Sequence, residues 1–492
     1  MTDEPARIGD PDELPLTGAF RVDGSALDLA DYEAAGGYQA LRAALRDMAP
    51  GDVTEAVSDA GLRGRGGAGY ATGRKWSFVP MGDDAPPVKY VVCNGDEMEP
   101  GSFKDRYLIQ GNPHLLIEGM ALACYAIGAS TGYIFVRDQY DVPHALLARA
   151  LEEAHVAGYL GEHVLGSRFS LEINLHVSIG RYMCGEASGM LNALQSDRAN
   201  PRWRPPHMAS AGLWSRPTVI NNVESLCCVP GIVRLGPERW RALGLTDEGG
   251  TRICGVSGRA RHTGAWEFPV GTPLREMIEG RAGGMRDGYT LRAVLPGGAS
   301  TPLIPAGDLD IPMDFDHMKK AGYGLGTATA LLVDDSVCPV GLCLNLLRFF
   351  AQESCGWCTP CWAGLPWAVG VVNDIEEGRG RPEHLDLLAE QMWFMGEEMC
   401  FCDLAPSATK ALGTALTIFR DEFESHIADG RCSYRARGSA TGAGAAGAAP
   451  NGAGPHEGDS PAQPPAPPTP PTPPAPPRRP GGLPGLAPER GR

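Results

Sequence analysis

Three cysteines with two residues between neighbours, Cys355, Cys358 and Cys361 in "ESCGWCTPCWAG", constrain this chain of 492 residues more than any other feature. Thiolates at that spacing converge on one small volume, and a fourth from a distant helix end completes a tetrahedral set. Cys400 and Cys402 compete for that fourth place, and spacing alone does not choose between them. This is how [4Fe–4S] clusters are commonly held, whereas structural zinc is usually built from two separated C-x-x-C pairs.

The other cysteines read differently. The chain holds 14 Cys, and its opening "MTDEPARIGDPDELPL" lacks the apolar segment of a signal peptide, which points away from disulfides. Cys93, Cys124, Cys227, Cys228, Cys254, Cys338 and Cys343 sit in apolar runs, where small buried thiols are expected. The uncharged stretch 119–136, "GMALACYAIGASTGYIFV", is split by a turn signal at Gly128, Ser130, Thr131 and Gly132 into a buried helix and a strand. A net charge of −16 argues against a nucleic-acid or anionic-membrane role and requires a local concentration of donors for any anionic ligand.

Helical and strand patterns divide the chain into three units and a tail. Residues 1–240 mix helices ("YQALRAALRDM", "HALLARALEEAHVAGYL") with apolar strands ("KYVVCN", "YIFVRD", "LEINLHVSIG"), a layered α/β domain. Residues 241–333 place short strands ("RICGVSG", "YTLRAVLPGG") around the helix "PLREMIEGRAGG", a small α+β module. Residues 334–437 are helical. There "SATKALGTALTIFRDEFESHI" is predicted as one helix with Ser407 as N-cap and Leu412, Leu416, Phe419 and Phe423 on one apolar face, and a four-helix bundle is the simplest packing. Residues 438–492, Ala/Gly-rich and then Pro-rich, are expected to be disordered or polyproline II.

The loop "GLRGRGGAGYATGRKW" spells G-x-G-x-x-G with Gly64, Gly66 and Gly69, among Arg63, Arg65, Arg74 and Lys75. A dinucleotide fingerprint needs a strand before it and a helix after it. What precedes is "PGDVTEAVSDAGL", helix-like with Asp52 as N-cap, and Gly73 is expected to break any early helix that follows. The Rossmann test fails, yet the loop still offers N–H donors to a phosphate, with Lys75 as a point charge. "VVCNGDEMEPGSFKDR" delivers Asn94, Asp96, Glu97 and Glu99 at the C-terminal end of a strand, where α/β sheets bind ligands and carboxylates accept from ribose or ribityl hydroxyls. "GRYMCGEASGML" ends another strand in glycines and Glu186. "PTVINNVESL" offers Asn221 and Asn222, a pair that more often caps turns. Phosphate cradle, carboxylates and iron–sulfur centre together point to redox chemistry.

In order along residues 35–430, "GLRGRGGAGYATGRKWSF", "CNGDEMEPGSFKDR", "GRYMCGE", "RANPRWRPP", "PTVINNVESL" and "ESCGWCTPC" closely resemble the NADH-binding flavoprotein subunit of respiratory complex I, NADH:quinone oxidoreductase. The resemblance implies an α/β flavin-binding domain (Rossmann-like, with a non-standard glycine loop), a small ubiquitin-like β-grasp module and a C-terminal four-helix bundle. It implies FMN and a [4Fe–4S] cluster as cofactors, NADH as substrate, and hydride transfer to FMN followed by single-electron transfer toward quinone. By the same resemblance, Gly64, Gly66, Gly67, Lys75, Asn94, Asp96, Asn221 and Asn222 surround FMN, with Gly185 and Glu186 near its ring. Tyr70 and Phe78 stack on NADH and Glu99 hydrogen-bonds it. Arg65, Ala68, Gly69, Gly73, Glu97, Tyr182, Arg204, His207 and Ile220 complete the cofactor-binding set. The segment "FCDLAPSA" selects Cys402 as fourth cluster ligand and leaves Cys400 spare. The implied partners are a thioredoxin-like [2Fe–2S] subunit and a large iron–sulfur subunit of the peripheral arm, with no nucleic acid. The implied location is cytoplasmic, peripheral to the inner (plasma) membrane through the complex and without direct insertion.

The chain departs from the family pattern in places. Ala187 stands where a second glutamate is usual, His207 where a phenylalanine lies beside the adenine, Arg204 where there is lysine, and Trp362 where a basic residue follows the cysteine motif. The alternatives are a diaphorase subunit of a soluble NAD-linked hydrogenase or formate dehydrogenase, and an inactive assembly paralogue suggested by Ala187 and His207.

Overall fold

The computed structural model describes residues 7–203 and 205–434, so Arg204 and the expected tail over 438–492 lie outside the described residues. Four strands, β1 (Tyr90–Gly95), β2 (Thr131–Val136), β3 (Glu172–Val177) and β4 (Thr218–Asn222), form an all-parallel sheet in the order β3-β2-β1-β4. Such a sheet is covered on both faces, and its alternating side chains serve two cores. Val91, Cys93, Ile134, Val136 and Val219 pack with residues of the helices Pro113–Ile127 and Val223–Leu235. Val92, Phe135 and Ile220 pack on the other side with Met190, Leu191 and Leu194 of the helix Ala187–Leu194.

Local chemistry sets the joints. The uncharged stretch 119–136 is, as expected, the end of the buried helix Pro113–Ile127 followed by β2. The Asn112 side chain caps that helix by accepting from the Leu115 N–H at 3.1 Å, with Pro113 in the first position and Gly128 closing the end. The asparagine pair does more than cap a turn. Asn221 and Asn222 end β4, and the Asn222 carboxamide oxygen then accepts from the Glu224 N–H at 3.1 Å to start the helix Val223–Leu235. Because β2 and β4 lie on opposite sides of β1, the chain changes direction between β1 and β4, and a crevice opens beyond their C-terminal ends.

Two expectations around the glycine loop need correction. The helix Pro50–Asp59 does precede it, but its N-cap is Ala49; Asp52, two residues inside the helix, reaches back to the Ala49 N–H at 2.7 Å. A short helix, Thr72–Ser77, follows the loop despite Gly73. Gly73 is there for packing: a Cβ would lie 2.1 Å from Ser58 Oγ on the preceding helix.

A second sheet contains β5 (Thr251–Ser257), β6 (Gly264–Pro269), β7 (Leu291–Leu295), β8 (Ile304–Pro305) and β9 (Thr329–Asp334), in the order β6-β5-β9-β7-β8. Only β5 and β9 pair in parallel; the other pairs are antiparallel. The segment expected as an α-helix, "PLREMIEGRAGG", forms a wider π-type turn, Glu276–Arg281, in which the Ala282 N–H reaches back five residues to Met277 O at 3.0 Å. Beyond it run the helices Pro339–Glu353, Thr359–Glu376, Glu383–Phe394, Leu404–Ile418 and Arg420–Asp429. The single helix expected around residue 419 is broken at Phe419, and the upstream piece starts after Asp403 rather than at Ser407. Leu412, Leu416, Phe419 and Phe423 nonetheless share one buried core. Among the described residues no helix is long and apolar enough to cross a membrane.

Candidate functional site

The floor of the crevice is a buried polar network. Lys104, at the start of the helix Lys104–Gly111, is 1% exposed. Its ammonium donates to Asp105 Oδ1 at 2.6 Å and Asn222 Oδ1 at 2.9 Å, and meets Glu224 Oε2 at 3.0 Å. Burial works against that charge, but Asp105 and Glu224 override it and hold the lysine above its ordinary pKa. Asn222 Nδ2 donates to Asp105 Oδ2 at 2.6 Å and to the Asn94 carbonyl at 3.3 Å, so its amide is committed to the floor. Arg65, expected to face the cofactor, turns inward instead. Its guanidinium is fully buried, pairs with Glu248, lies 3.9 Å from Glu224 and donates to the Thr251 carbonyl at 3.3 Å. Its own N–H donates to Ser225 Oγ at 2.8 Å, which anchors the glycine loop.

Glu97 departs from expectation in the same way. Its carboxylate accepts from Ser102 Oγ at 2.7 Å, from the Asp105 and Arg106 N–H groups at 3.1 Å each, and from Tyr140 Oη at 3.1 Å. That is the set of bonds that starts the helix Lys104–Gly111, and it leaves little for a ligand to use.

The walls are less committed. Lys75 Nζ donates to the Ile220 carbonyl at 2.9 Å, and Trp76 Nε1 to Asn221 Oδ1 at 2.9 Å, tying the segment after the loop to the end of β4. Gly66 lies against Asn222, where a Cβ would meet the asparagine Cβ at 3.3 Å. Gly67 turns with φ +111° and Gly69 with φ +65°, a conformation that costs glycine nothing. At Gly69 a side chain would also strike the Phe315 ring at 2.6 Å. Gly64 is half-buried, and Ala68 is exposed beside Tyr70. Tyr70 and Phe78 are 44% and 52% exposed, large aromatic faces presented to solvent.

Asp96 is the least satisfied group. Its carboxylate is buried, and neither oxygen makes a full hydrogen bond. Burial pushes its pKa up to about 7, moderated by the nearby Ser178 hydroxyl and Arg137. A buried, open acceptor pair fits a ligand bearing several hydroxyls, as a ribityl chain does. Asn94, beside it, accepts from the Asp96 N–H at 3.2 Å and donates to the Gly185 carbonyl at 2.9 Å. This links β1 to the turn Tyr182–Gly185. Tyr182 Oη donates to Glu99 Oε2 at 2.6 Å, and the Ser300 N–H to Glu99 Oε1 at 2.6 Å; burial raises the Glu99 carboxyl. Glu186 caps the helix Ala187–Leu194, accepting from the Gly189 N–H at 2.8 Å and Ser188 Oγ at 2.5 Å, and Ala187 is that helix's first residue. His207 is exposed at the head of the short helix Met208–Ala211.

The cysteine set adjoins this crevice. Cys358 precedes the helix Thr359–Glu376, Cys361 lies in its first turn, and Cys402 stands just before the helix Leu404–Ile418. Burial raises the Cys361 thiol to about 11; the Ser354 hydroxyl lowers it, while Cys358 and Cys355 add to the rise. Cys402 feels Cys355, Cys361 and also Glu186. Cys400 faces Cys358 and Cys361, so both candidates for the fourth place lie beside the trio. Tyr182 joins the two regions directly: its N–H donates at 2.9 Å to Glu353, two residues before Cys355. All-sulfur donors beside two helix starts, Cys361 buried and Cys355, Cys358 and Cys402 half-buried, suit an iron–sulfur cluster.

Sequence reasoning missed Lys104, Asp105 and Glu224, although all three lie inside motifs it quoted. The available signal was charge in otherwise apolar helical positions, as in "VESLCCV", where Glu224 is fully buried.

Residues 57–231 match the family model described as the Nuo51 FMN-binding domain, and residues 341–426 match the NADH-ubiquinone oxidoreductase-F iron-sulfur binding region. The chain is 45% identical over 420 residues to the F subunit of NADH-quinone oxidoreductase from Salmonella typhimurium, spanning 85% of this chain and 94% of that one. It is 46% identical over 409 residues to the F 2 subunit of NADH-quinone oxidoreductase from Rhizobium meliloti, spanning 82% and 96%. Among solved structures, an NAD+-reducing [NiFe]-hydrogenase in the air-oxidized state matches with a TM-score of 0.72 at 32% identity, covering 82% of this chain and 67% of that chain. The FMN-binding match spans β1 to β4 and the crevice they form, the iron–sulfur match spans the cysteine quartet, and the chain belongs to the family of NADH-quinone oxidoreductase F subunits, oxidoreductase flavoproteins with FMN and a [4Fe–4S] cluster as cofactors and NADH as substrate.

Proposed function

We propose that this chain binds FMN and NADH in the crevice between β1 and β4, and passes electrons through Cys355, Cys358, Cys361 and Cys402 toward quinone. The observation that carries this reading is the contact of the two regions: Tyr182 and Glu186 border the crevice, and both feel Cys402. Bound FMN supplies what side chains lack, an acceptor of hydride that gives electrons up one at a time.

The residues of the chain position and tune. The N–H groups of Gly66 and Gly67, with Lys75 held beside them, receive the phosphate, while the Gly64 N–H, donating to the Tyr70 carbonyl at 2.8 Å, closes the loop that presents them. Asp96 and Asn94 take the ribityl hydroxyls, and Gly185 leaves room for the ring. Tyr70 and Phe78 stack on NADH from the rim, while Glu99, held by Tyr182 and Ser300, accepts its hydroxyls. With Ala187 in place of a second carboxylate, the site carries one negative charge fewer beside Glu186. Arg65, Glu97 and Gly73 act behind the site rather than on the ligand. No side chain needs to move a proton during hydride transfer, so their contribution is orientation.

In this reading residues 1–240 form the flavin domain and 334–437 the cluster-bearing helical bundle. Residues 241–333 form a ubiquitin-like β-grasp module, supported by the parallel central pair β5 and β9 flanked by antiparallel strands. The partners are the thioredoxin-like [2Fe–2S] subunit and the large iron–sulfur subunit of the peripheral arm, on the cytoplasmic face of the membrane. The hydrogenase likeness supports a second reading, in which the same chemistry serves a soluble NAD-linked enzyme. The higher identity to the quinone enzymes favours the first. Anaerobic purification with partners, followed by flavin and iron quantification and NADH–ferricyanide assay, tests both. FMN-free, inactive protein contradicts either, and the co-purifying subunit distinguishes them.

A further inference from the structure

Cys338, expected as an ordinary buried thiol, is not one. Its sulfur lies 3.7 Å from Cys432 Sγ, 3.3 Å from His426 Nε2 and 3.4 Å from Glu376 Oε2, and the last two atoms are 3.6 Å apart. All four ligand atoms fall within 4.8 Å of one another, and Glu376, His426 and Cys432 are buried. These distances are four of the six edges of a small tetrahedron, and the other two, from Cys432 Sγ to His426 and Glu376, lie within 4.8 Å. Zinc bonds of about 2.3 Å to sulfur and about 2.0 Å to nitrogen or oxygen require edges of roughly 3.8 Å for S–S, 3.5 Å for S–N or S–O and 3.3 Å for N–O. Each measured edge agrees to about 0.3 Å.

The surroundings suit a ligand set. His426 Nδ1 faces the Glu422 carbonyl at 2.6 Å; a carbonyl can only accept, so the proton sits on Nδ1 and Nε2 presents its lone pair to the group. The Gly341 N–H donates to Cys338 Sγ at 3.3 Å, which fixes the sulfur in place. Glu422 is itself held by Arg292 at 2.8 Å and Tyr434 at 2.7 Å, so the backbone behind the histidine is fixed.

We propose that Cys338, Glu376, His426 and Cys432 form a structural zinc site, separate from the iron–sulfur site. Glu376 is the last residue of the helix that carries Cys361 in its first turn, so the two sites are about 22 Å apart along that helix. The ion would clamp the start of the helix Pro339–Glu353, the end of Thr359–Glu376 and the segment after Arg420–Asp429. Two thiolates and one carboxylate around a divalent cation leave one net negative charge, far less than the ligands would carry without it. The ligands come from three distant parts of the chain, so no C-x-x-C spacing announces them.

The test is zinc K-edge absorption and metal analysis on the full chain, purified anaerobically with its iron–sulfur cluster. The expected result is one zinc per chain bound by two sulfur and two nitrogen or oxygen atoms. The double variant Cys338→Ser, Cys432→Ser should lose that zinc while keeping FMN and iron. Zinc-free wild type, a four-sulfur zinc environment, zinc retained in the double variant or a Cys338–Cys432 disulfide in the anaerobic protein overturns the assignment. If the double variant does not fold, the wild-type coordination shell decides by itself.

Discussion

Lys104 on the floor of the crevice and Tyr70 on its rim show two ways of building one site. Lys104 is 1% exposed, and its ammonium meets two carboxylates and an amide. Tyr70 is 44% exposed, on a loop where Gly66 and Ala68 are exposed as well. Asp96 stands between them, as buried as the floor but lacking its hydrogen bonds. The floor is finished before any ligand arrives and fixes geometry. The wall and rim are finished only by the ligand, which is where binding energy can be gained.

The severest way to break this contrast is Lys104→Met. It leaves Asp105 buried without its cation and Glu224 with Arg65 at 3.9 Å, at a cost of about 3–5 kcal/mol. The flavin-depleted protein should unfold many degrees earlier and rebind FMN poorly; an unchanged melting temperature would mean that the floor is not the rigid part.

Asp96→Asn sharpens it through pH. Folding raises this carboxyl from its ordinary value to about 7. Its stabilising contribution is therefore fully present below pH 4 and is lost as pH rises through about 7. Flavin-free wild type should lose stability across that window by on the order of 2–4 kcal/mol more than the asparagine variant. Added FMN should narrow the difference. Equal pH profiles would show that Asp96 ionises freely.

The rim should respond least. Tyr70→Ala or Phe78→Ala removes a stacking face worth about 1–1.5 kcal/mol, a rise of roughly tenfold in KM for NADH. Flavin content and melting temperature should not change. Loss of FMN on either substitution would move these residues from rim to floor.

How far these features could be read from the chain follows the same division. β1 and β2 announce themselves because a strand covered on both faces needs an almost unbroken apolar run, and β3, at the sheet edge, by the alternation of Ile173, Leu175 and Val177 with polar residues. β4 was hidden, since Asn221 and Asn222 at its end look like turn residues while serving both strand and helix. Gly73 misleads for a similar reason: the glycine is required by close approach to a neighbour 15 positions earlier, Ser58, which local propensity does not register. The break at Phe419 was missed because the buried face continues through it. Motif letters gave the location of the site, but not which way each side chain turned. Arg65 and Glu97 look like ligand residues until Glu248 and the helix start at Lys104 are seen to claim them. The cysteine trio was legible because its ligands are adjacent in sequence, whereas Cys338 and Cys432 meet only after the helices pack.

The most direct measurement is an anaerobic NADH titration of the full chain, following FMN absorbance and low-temperature EPR together, with Cys358→Ala in parallel. In the wild type the flavin absorbance should bleach and a reduced [4Fe–4S] signal should appear; the variant should still bleach but show no signal. Bleaching without a cluster signal in the wild type, or a full signal in Cys358→Ala, would contradict the proposed path from crevice to cysteines.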